Sequence, residues 1–242
     1  MRVLASVLQI SAAATFFVLS VYASDAGKDE TQPGKTPPSA DELNQLPLEK
    51  NDVTTEFILG NVNAKKRIVV YISPACLHCA QLLTGDIIPF IKNGSNAETY
   101  CIVIKLLPTS AKDVFILNLL SELNVDPEKK FNIYINYMKR VLATLKNIVP
   151  TAEQKRKFKG SESDVEMIKY QVIAAKFGFA DIQICGAFPD MDAEREKKVM
   201  ADYRRIITEL AEFLEKREVD LPIIVADGKV HSGIKEAAKV YN

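Results

Sequence analysis

The sequence is poor in the residues that metal centres and disulfide scaffolds require. Four cysteines and two histidines in 242 residues are too few to staple a chain of this size, and they leave little for a multi-metal site. Neither sign of charge is in excess: 31 Lys and Arg face 31 Asp and Glu. A nucleic-acid binder draws on a basic surplus, so that class is set aside. Ten glycines and eleven prolines exclude collagen-like and low-complexity chains. A composition 48% hydrophobic and 26% charged is that of an ordinary globular protein. The length suits one domain, or one domain carrying an inserted subdomain. No internal repeat is present.

One long uncharged run is present. Met1-Arg2 is a short basic start, Val3 to Ala23 carries no charge, and Asp25, Lys28, Asp29 and Glu30 follow at once. Val21-Tyr22-Ala23 places small or branched residues where a signal peptidase needs them. Residues 1–23 therefore read as a secretory signal peptide cleaved after Ala23. The run is also long enough to span a bilayer, which makes an uncleaved N-terminal membrane anchor the rival reading. Ser6, Gln9, Ser11, Thr15 and Ser20 dilute the run and favour cleavage. On either reading the globular part is extracytoplasmic, where cysteines can pair. Residues 24–53 hold Pro33, Pro37, Pro38 and Pro47 among charged and polar residues without a sustained period. They read as a flexible linker.

The rest of the chain is α/β. Thr54 to Leu59 suits a short edge strand. Arg67 to Ile72 is β-branched and nearly all apolar, as for a strand buried on both faces. A helix is expected from Cys76 to about Lys92, with Leu82, Leu83, Ile87, Phe90 and Ile91 on its apolar face and Asn93-Gly94 ending it. Thr99 to Leu107 is the next strand, so 67–107 forms a β-α-β unit. From Thr109 to Asp220 helical periodicity takes over. Helices are expected over 128–148, from a capping box at Ser163-Asp164-Val165-Glu166 to about Phe177, briefly from Asp181, and over 193–217. Leu221 to Ala226 returns to strand, Asp227-Gly228 is a hairpin turn, Lys229 to Ser232 is the return strand, and Ile234 to Tyr241 is a last helix. Residues 54–108 and 221–242 thus form one α/β domain, with a helical subdomain inserted over 109–220.

One motif carries chemistry. Cys76-Leu77-His78-Cys79 is C-x-x-C, placed where a strand hands over to a helix. The unpaired N–H groups and partial positive charge of a helix N-terminus stabilise a thiolate, so the acidity of Cys76 rises. Cys76 is then the exposed attacking sulfur, and Cys79, one turn further in, the resolving partner. His78 can add a proton donor or a positive charge. A stabilised thiolate favours the reduced pair and makes its disulfide an oxidant. Other readings compete. A zinc site would need two more ligands from Cys101, Cys185, His78 and His231, and no second C-x-x-C or H-x3-5-H exists. Covalent haem needs C-x-x-C-H, and residue 80 is Ala. A passive disulfide staple fits poorly at a helix start. A Cys-His hydrolase pair would place its base badly at the adjacent His78.

The order of motifs resembles a known family. Gly60-Asn61-Val62-Asn63-Ala64 leads into a strand, then Cys76-Leu77-His78-Cys79-Ala80, then Ile88-Pro89-Phe90-Ile91-Lys92. A long helical insert follows, then Leu221-Pro222-Ile223-Ile224-Val225 and Asp227-Gly228-Lys229. Over about residues 54–242 this is similar to the DsbA family of secreted thiol:disulfide oxidoreductases. The resemblance implies a thioredoxin-like fold with a large all-helical insertion. It implies a redox-active Cys76–Cys79 disulfide as the sole prosthetic element, with no metal and no other cofactor. Cys76 matches the nucleophile, Cys79 its buried partner, Leu77 and His78 the dipeptide that tunes potential, and Pro222 the cis-proline facing the disulfide, where an incoming peptide can add a strand. The implied partners are reduced secreted or envelope proteins and a DsbB-like quinone-linked membrane oxidase. The implied localisation is periplasmic, and a monomer is expected.

Three positions depart from the family pattern. Leu221 stands where Thr or Val commonly precedes the proline, Leu77 replaces the usual Pro, and Val70 occupies a strand position that is often acidic. Proton handling at Cys79 is therefore open. Cys101 reads as a buried thiol in a strand. Cys185 resembles one end of a structural disulfide whose usual partner is missing, and a Cys101–Cys185 bond would need Cα atoms within about 7 Å. His231, on the terminal hairpin, reads as a solvated turn residue rather than a catalytic group. An isomerase or reductase on the same fold, usually dimeric, is the alternative enzyme. A non-catalytic envelope binding module is the alternative from another class.

Overall fold

The computed structural model describes residues 56–152, 162–177 and 220–241. The expected signal peptide, the linker, Cys185 and the helices expected from Asp181 and over 193–217 lie outside the described residues. No helix among the described residues is long and apolar enough to cross a membrane.

Two apolar, β-branched runs form the centre of the sheet. β2 (Lys66–Ile72) and β3 (Tyr100–Leu106) pair in parallel, with Val69 beside Val103. β1 (Glu56–Gly60) lies antiparallel against β3, and β4 (Ile223–Ala226) antiparallel against β2. β5 (Lys229–Ser232) returns from β4, and the sheet order is β1-β3-β2-β4-β5. Asp227 (φ 48) and Gly228 (φ 69) form the expected tight turn, since both central residues of that turn need positive φ. The strand expected from Leu221 begins only at Ile223, because Pro222 has no N–H to give to a ladder.

A parallel pair needs a crossover, and the expected helix supplies it in three pieces. They are α1 (Leu77–Leu82), a π turn (Leu83–Ile87) and α2 (Ile88–Lys92). Ile88 N–H donates to Leu83 O, one residue further back than in an α-helix. Pro89 accounts for the wider turn: it has no N–H to return to Gly85. Asn93 ends the crossover as expected, but Gly94 opens a further short helix, α3 (Gly94–Thr99).

The insert begins with α4 (Ala111–Glu122), which periodicity had not indicated. Phe115 to Leu120 is buried without interruption, so the helix has no polar face and hence no period to detect. α5 (Pro127–Thr144) is amphipathic. Asp126 caps it by accepting from Lys129 N–H at 2.8 Å, and Phe131, Tyr134, Ile135, Tyr137, Met138 and Val141 turn inward. It ends in a 3-10 turn, Leu145–Asn147. α6 (Glu162–Phe177) starts one residue before the expected cap. Ser163 therefore lies in its first turn, and Glu166 on the same helix pairs with Lys112 of α4. α7 (Ile234–Ala238) ends the described fold and is shorter than expected.

Both faces of the sheet are buried, as the β2 composition predicts. Ile68, Val70, Ile72, Ile102, Ile104 and Ile224 join one apolar cluster with α1, α4, α5 and α6. Phe57 packs there against a tilted Phe131 ring and lies parallel to Tyr134, with ring centroids at 5.1 and 6.3 Å. Val69, Tyr71, Val103 and Val225 are buried on the other face. There Glu56 and Lys105, register partners on β1 and β3, face each other at 3.7 Å with both side chains buried.

Gly60 is the tightest backbone position. It has φ +80, and a Cβ there would collide with the Tyr100 carbonyl and the Ile91 side chain. Gly60→Ala should lower folding stability by more than about 1 kcal/mol. Urea unfolding checks this, and an unchanged midpoint would refute the close packing of β1 on α2 and β3.

Candidate active site

β2 is the central strand, and it ends at Ile72 beside the start of β4, where Tyr71 pairs with Ile223. The chain then leaves the sheet through Ser73, Pro74 and Ala75, all buried. Cys76 N–H donates to Ser73 O at 3.1 Å, which turns the chain into α1. Cys76 is the N-cap of that helix: its φ of −71 and ψ of 120 are extended, and its sulfur accepts from Cys79 N–H at 3.3 Å. A sulfur thus stands where a Ser or Asp oxygen normally caps a helix.

The two sulfurs sit in different surroundings. Cys76 is half-buried and Cys79 fully buried, and both are free thiols. The Cys76 thiol is pulled from its ordinary value of 9.0 down to about 6. A hydrogen bond from the Cys79 side chain is the largest cause. Partial burial opposes it, and the backbone N–H groups of Cys79 and His78 and the His78 side chain add smaller pulls in the same direction. Cys79 is pushed far above the ordinary thiol range by its contact with Cys76 and by burial, while the Ser73 backbone N–H pulls back. At neutral pH the pair therefore divides into one thiolate and one thiol. The helix N-terminus argument is right in direction, but the partner thiol outweighs it.

The remaining predicted residues have these places. Leu77 opens α1 half-buried, and His78 follows it exposed. Leu221 is half-buried and Pro222 buried, and the peptide bond between them is cis. Because Ile223 pairs with Tyr71, Pro222 lies at the same end of the sheet as the loop that carries Cys76. Gly233 N–H donates to Asp220 O and to Pro222 O, both at 2.9 Å, and Ser232 Oγ joins Asp220 from the same side. His231 is not a turn residue: it lies in β5 opposite Ile224, half-buried. Cys101 is a buried free thiol in β3. Among the described residues, no three His, Cys, Asp or Glu are grouped to hold a metal ion.

Three side chains that hold the loop had escaped sequence reasoning. Tyr134 on α5 donates to Pro74 O at 3.1 Å, and Tyr170 on α6 donates to Ala75 O at 2.8 Å. Burial pushes both phenols up, so both remain donors. Asp113 in the first turn of α4 accepts from Ser73 Oγ and Ala75 N–H, each at 2.6 Å. Val70 is indeed apolar and buried, yet the site does not lack a buried acid; Asp113 brings one from the insert. A signal was present: Ser110-x-x-Asp113 before an apolar run is a helix-start signature.

The pH dependence follows from the charge division. Alkylation of Cys76 should rise as pH increases through about 6 and then level off, instead of climbing toward 9. Cys79→Ala should move that midpoint upward more than His78→Ala does, because the thiol donor is the larger cause. Iodoacetamide rates across pH decide it, and the opposite order would overturn the ranking.

The chain matches no protein-family model and no curated protein. It is similar to solved structures. Wolbachia pipientis alpha-DsbA1 is 17% identical, with a TM-score of 0.51, covering 84% of this chain and 94% of that one. Its T172V variant is 18% identical, with a TM-score of 0.52 and the same coverage. Chlamydia trachomatis DsbA is 15% identical over 86% of this chain and 95% of that one, but its TM-score of 0.37 is too low to bear on the fold. The chain has a thioredoxin-like fold with helices inserted between β3 and β4, and its fold is similar to that of the Wolbachia structures.

Proposed function

We propose that this protein is a thiol:disulfide oxidoreductase that introduces disulfides into secreted proteins through Cys76 and Cys79. The observation that carries the reading is the division of the pair into a capping Cys76 thiolate and a buried Cys79 thiol. Stabilising the thiolate favours the reduced pair, which makes the disulfide a strong electron acceptor. The DsbA-like fold supports the same chemistry.

The reaction balances as follows. A substrate thiolate attacks Cys76 Sγ of the Cys76–Cys79 disulfide, forming a mixed disulfide as the Cys76–Cys79 bond breaks. Cys79 leaves as a thiolate and takes a proton from solvent. A second substrate thiolate attacks the substrate sulfur of the mixed disulfide and releases Cys76 as a thiolate. Two electrons pass from the substrate dithiol to the enzyme, and a DsbB-like quinone-linked membrane oxidase would remove them. Leu77, His78, Leu221 and Pro222 form the substrate-facing rim in this reading. The substrates are reduced secreted or envelope proteins, and the protein acts as an extracytoplasmic monomer once residues 1–23 are removed.

Cys76→Ser should abolish oxidation of a reduced, unfolded protein, and retained activity would sink the assignment. With Cys101 and Cys185 changed to Ser, equilibration against glutathione reads the potential of Cys76–Cys79. A value of about −120 mV supports a disulfide donor, whereas about −270 mV makes the protein a reductant.

A further inference from the structure

We propose that Ser232 is a positioning residue for substrate: by holding Asp220 through both of its backbone groups, it keeps the Leu221 N–H presented toward the cysteine loop, where it donates to a backbone carbonyl of the incoming peptide. The proposal rests on the thiol:disulfide reading above and deepens it. It makes the peptide backbone beside the reacting thiol part of what the protein recognises.

Ser232 is the last residue of β5 and lies opposite Ile223, the first of β4. Beyond that pair the ladder meets Pro222, which has no N–H to give. β5 keeps its hold on the segment by other means. A hydroxyl has one proton and two lone pairs, and Ser232 Oγ uses both kinds. It accepts from Asp220 N–H at 3.0 Å and donates to Asp220 O at 3.1 Å. Gly233 N–H is shared between Asp220 O and Pro222 O, at 2.9 Å each. Asp220 is exposed, so these bonds, rather than packing, fix its peptide plane.

The direction of the Leu221 N–H follows. Among the described residues the one cis peptide is Leu221–Pro222, so Asp220–Leu221 is trans. In a trans peptide the C=O and the next N–H point opposite ways. Asp220 O is turned toward β5, so Leu221 N–H is turned away from it. β4 lies between β5 and β2. That N–H therefore faces the side of β2, which has ended at Ile72 and given way to the loop before Cys76. No described residue accepts from it. A free backbone donor at a strand end is what an extended peptide pairs with, and a donor already aimed spares the peptide the cost of ordering it.

The test compares two thiols that reduce the oxidised full chain: a blocked peptide with two cysteines, and dithiothreitol. Each passes two electrons to the Cys76–Cys79 disulfide and closes a disulfide of its own, but only the peptide has a backbone carbonyl to offer. Ser232→Ala should lower the rate constant for the peptide about fivefold, as for the loss of one aimed hydrogen bond, and leave that for dithiothreitol within about twofold. Ser232→Thr keeps the hydroxyl and should restore the peptide rate. The pH midpoint of Cys76 alkylation should stay in place in both variants. Equal losses for the two thiols would make Ser232 merely structural and overturn the proposal, and so would an unchanged peptide rate. Should Ser232→Ala not fold, Ser232→Val, which suits a strand and lacks the hydroxyl, is judged by the same two rates. Failure of the underlying reading looks different: the peptide would reduce the unmodified chain no faster than it reduces oxidised glutathione, and the proposal would fall with it.

Discussion

Ser73, Pro74 and Ala75 leave the centre of the sheet with no neighbouring strand to take their backbone groups. A buried N–H or C=O without a partner costs on the order of 1–3 kcal/mol, so the segment holds its course only where side chains reach it. Asp113, Tyr134 and Tyr170 do so from three helices of the insert. The position of the Cys76 sulfur depends on this, because Cys76 follows directly and its own N–H returns to Ser73. The insert is therefore part of the support beneath the reacting pair.

The electrostatics build on that support. Cys76 can cap α1 only because the loop delivers it in an extended conformation at the first turn. The cap exposes one sulfur to donors and buries the other. Leu77 and His78 lie on the outer turn, and Asp113 lies behind the loop. Groups that favour negative charge thus gather at Cys76, and groups that oppose it gather at Cys79. Lys112, beside Asp113 in sequence, reaches outward to Glu166 and lies 5.8 Å from the centre of the Tyr170 ring. The same helix start thereby braces the tyrosine that braces Ala75.

The sheet and the cysteine motif were legible because their signals are local. β-branched runs, a two-residue Asp-Gly turn and a C-x-x-C at a strand end each need only a few adjacent residues. α4 was hidden because its middle, Phe115 to Leu120, is buried without a break and has no alternation to read. The π turn was hidden because Pro89 acts four residues upstream of itself. Asp113, Tyr134 and Tyr170 were hidden for another reason: their partners lie 38 to 95 residues away in sequence, and spacing carries no trace of that distance.

The chain order of these contacts has a consequence for assembly. β4 pairs with β2 only after about 150 residues have intervened, a closure whose entropic cost grows slowly with length but delays the pairing. Asp113, Tyr134 and Tyr170 all precede β4. A chain made from its N-terminus therefore presents every group that grips the cysteine loop before the strand that completes the sheet. The reactive sulfur belongs to the early half of the folding sequence, and the proline edge beside it is the last part of its surroundings to arrive.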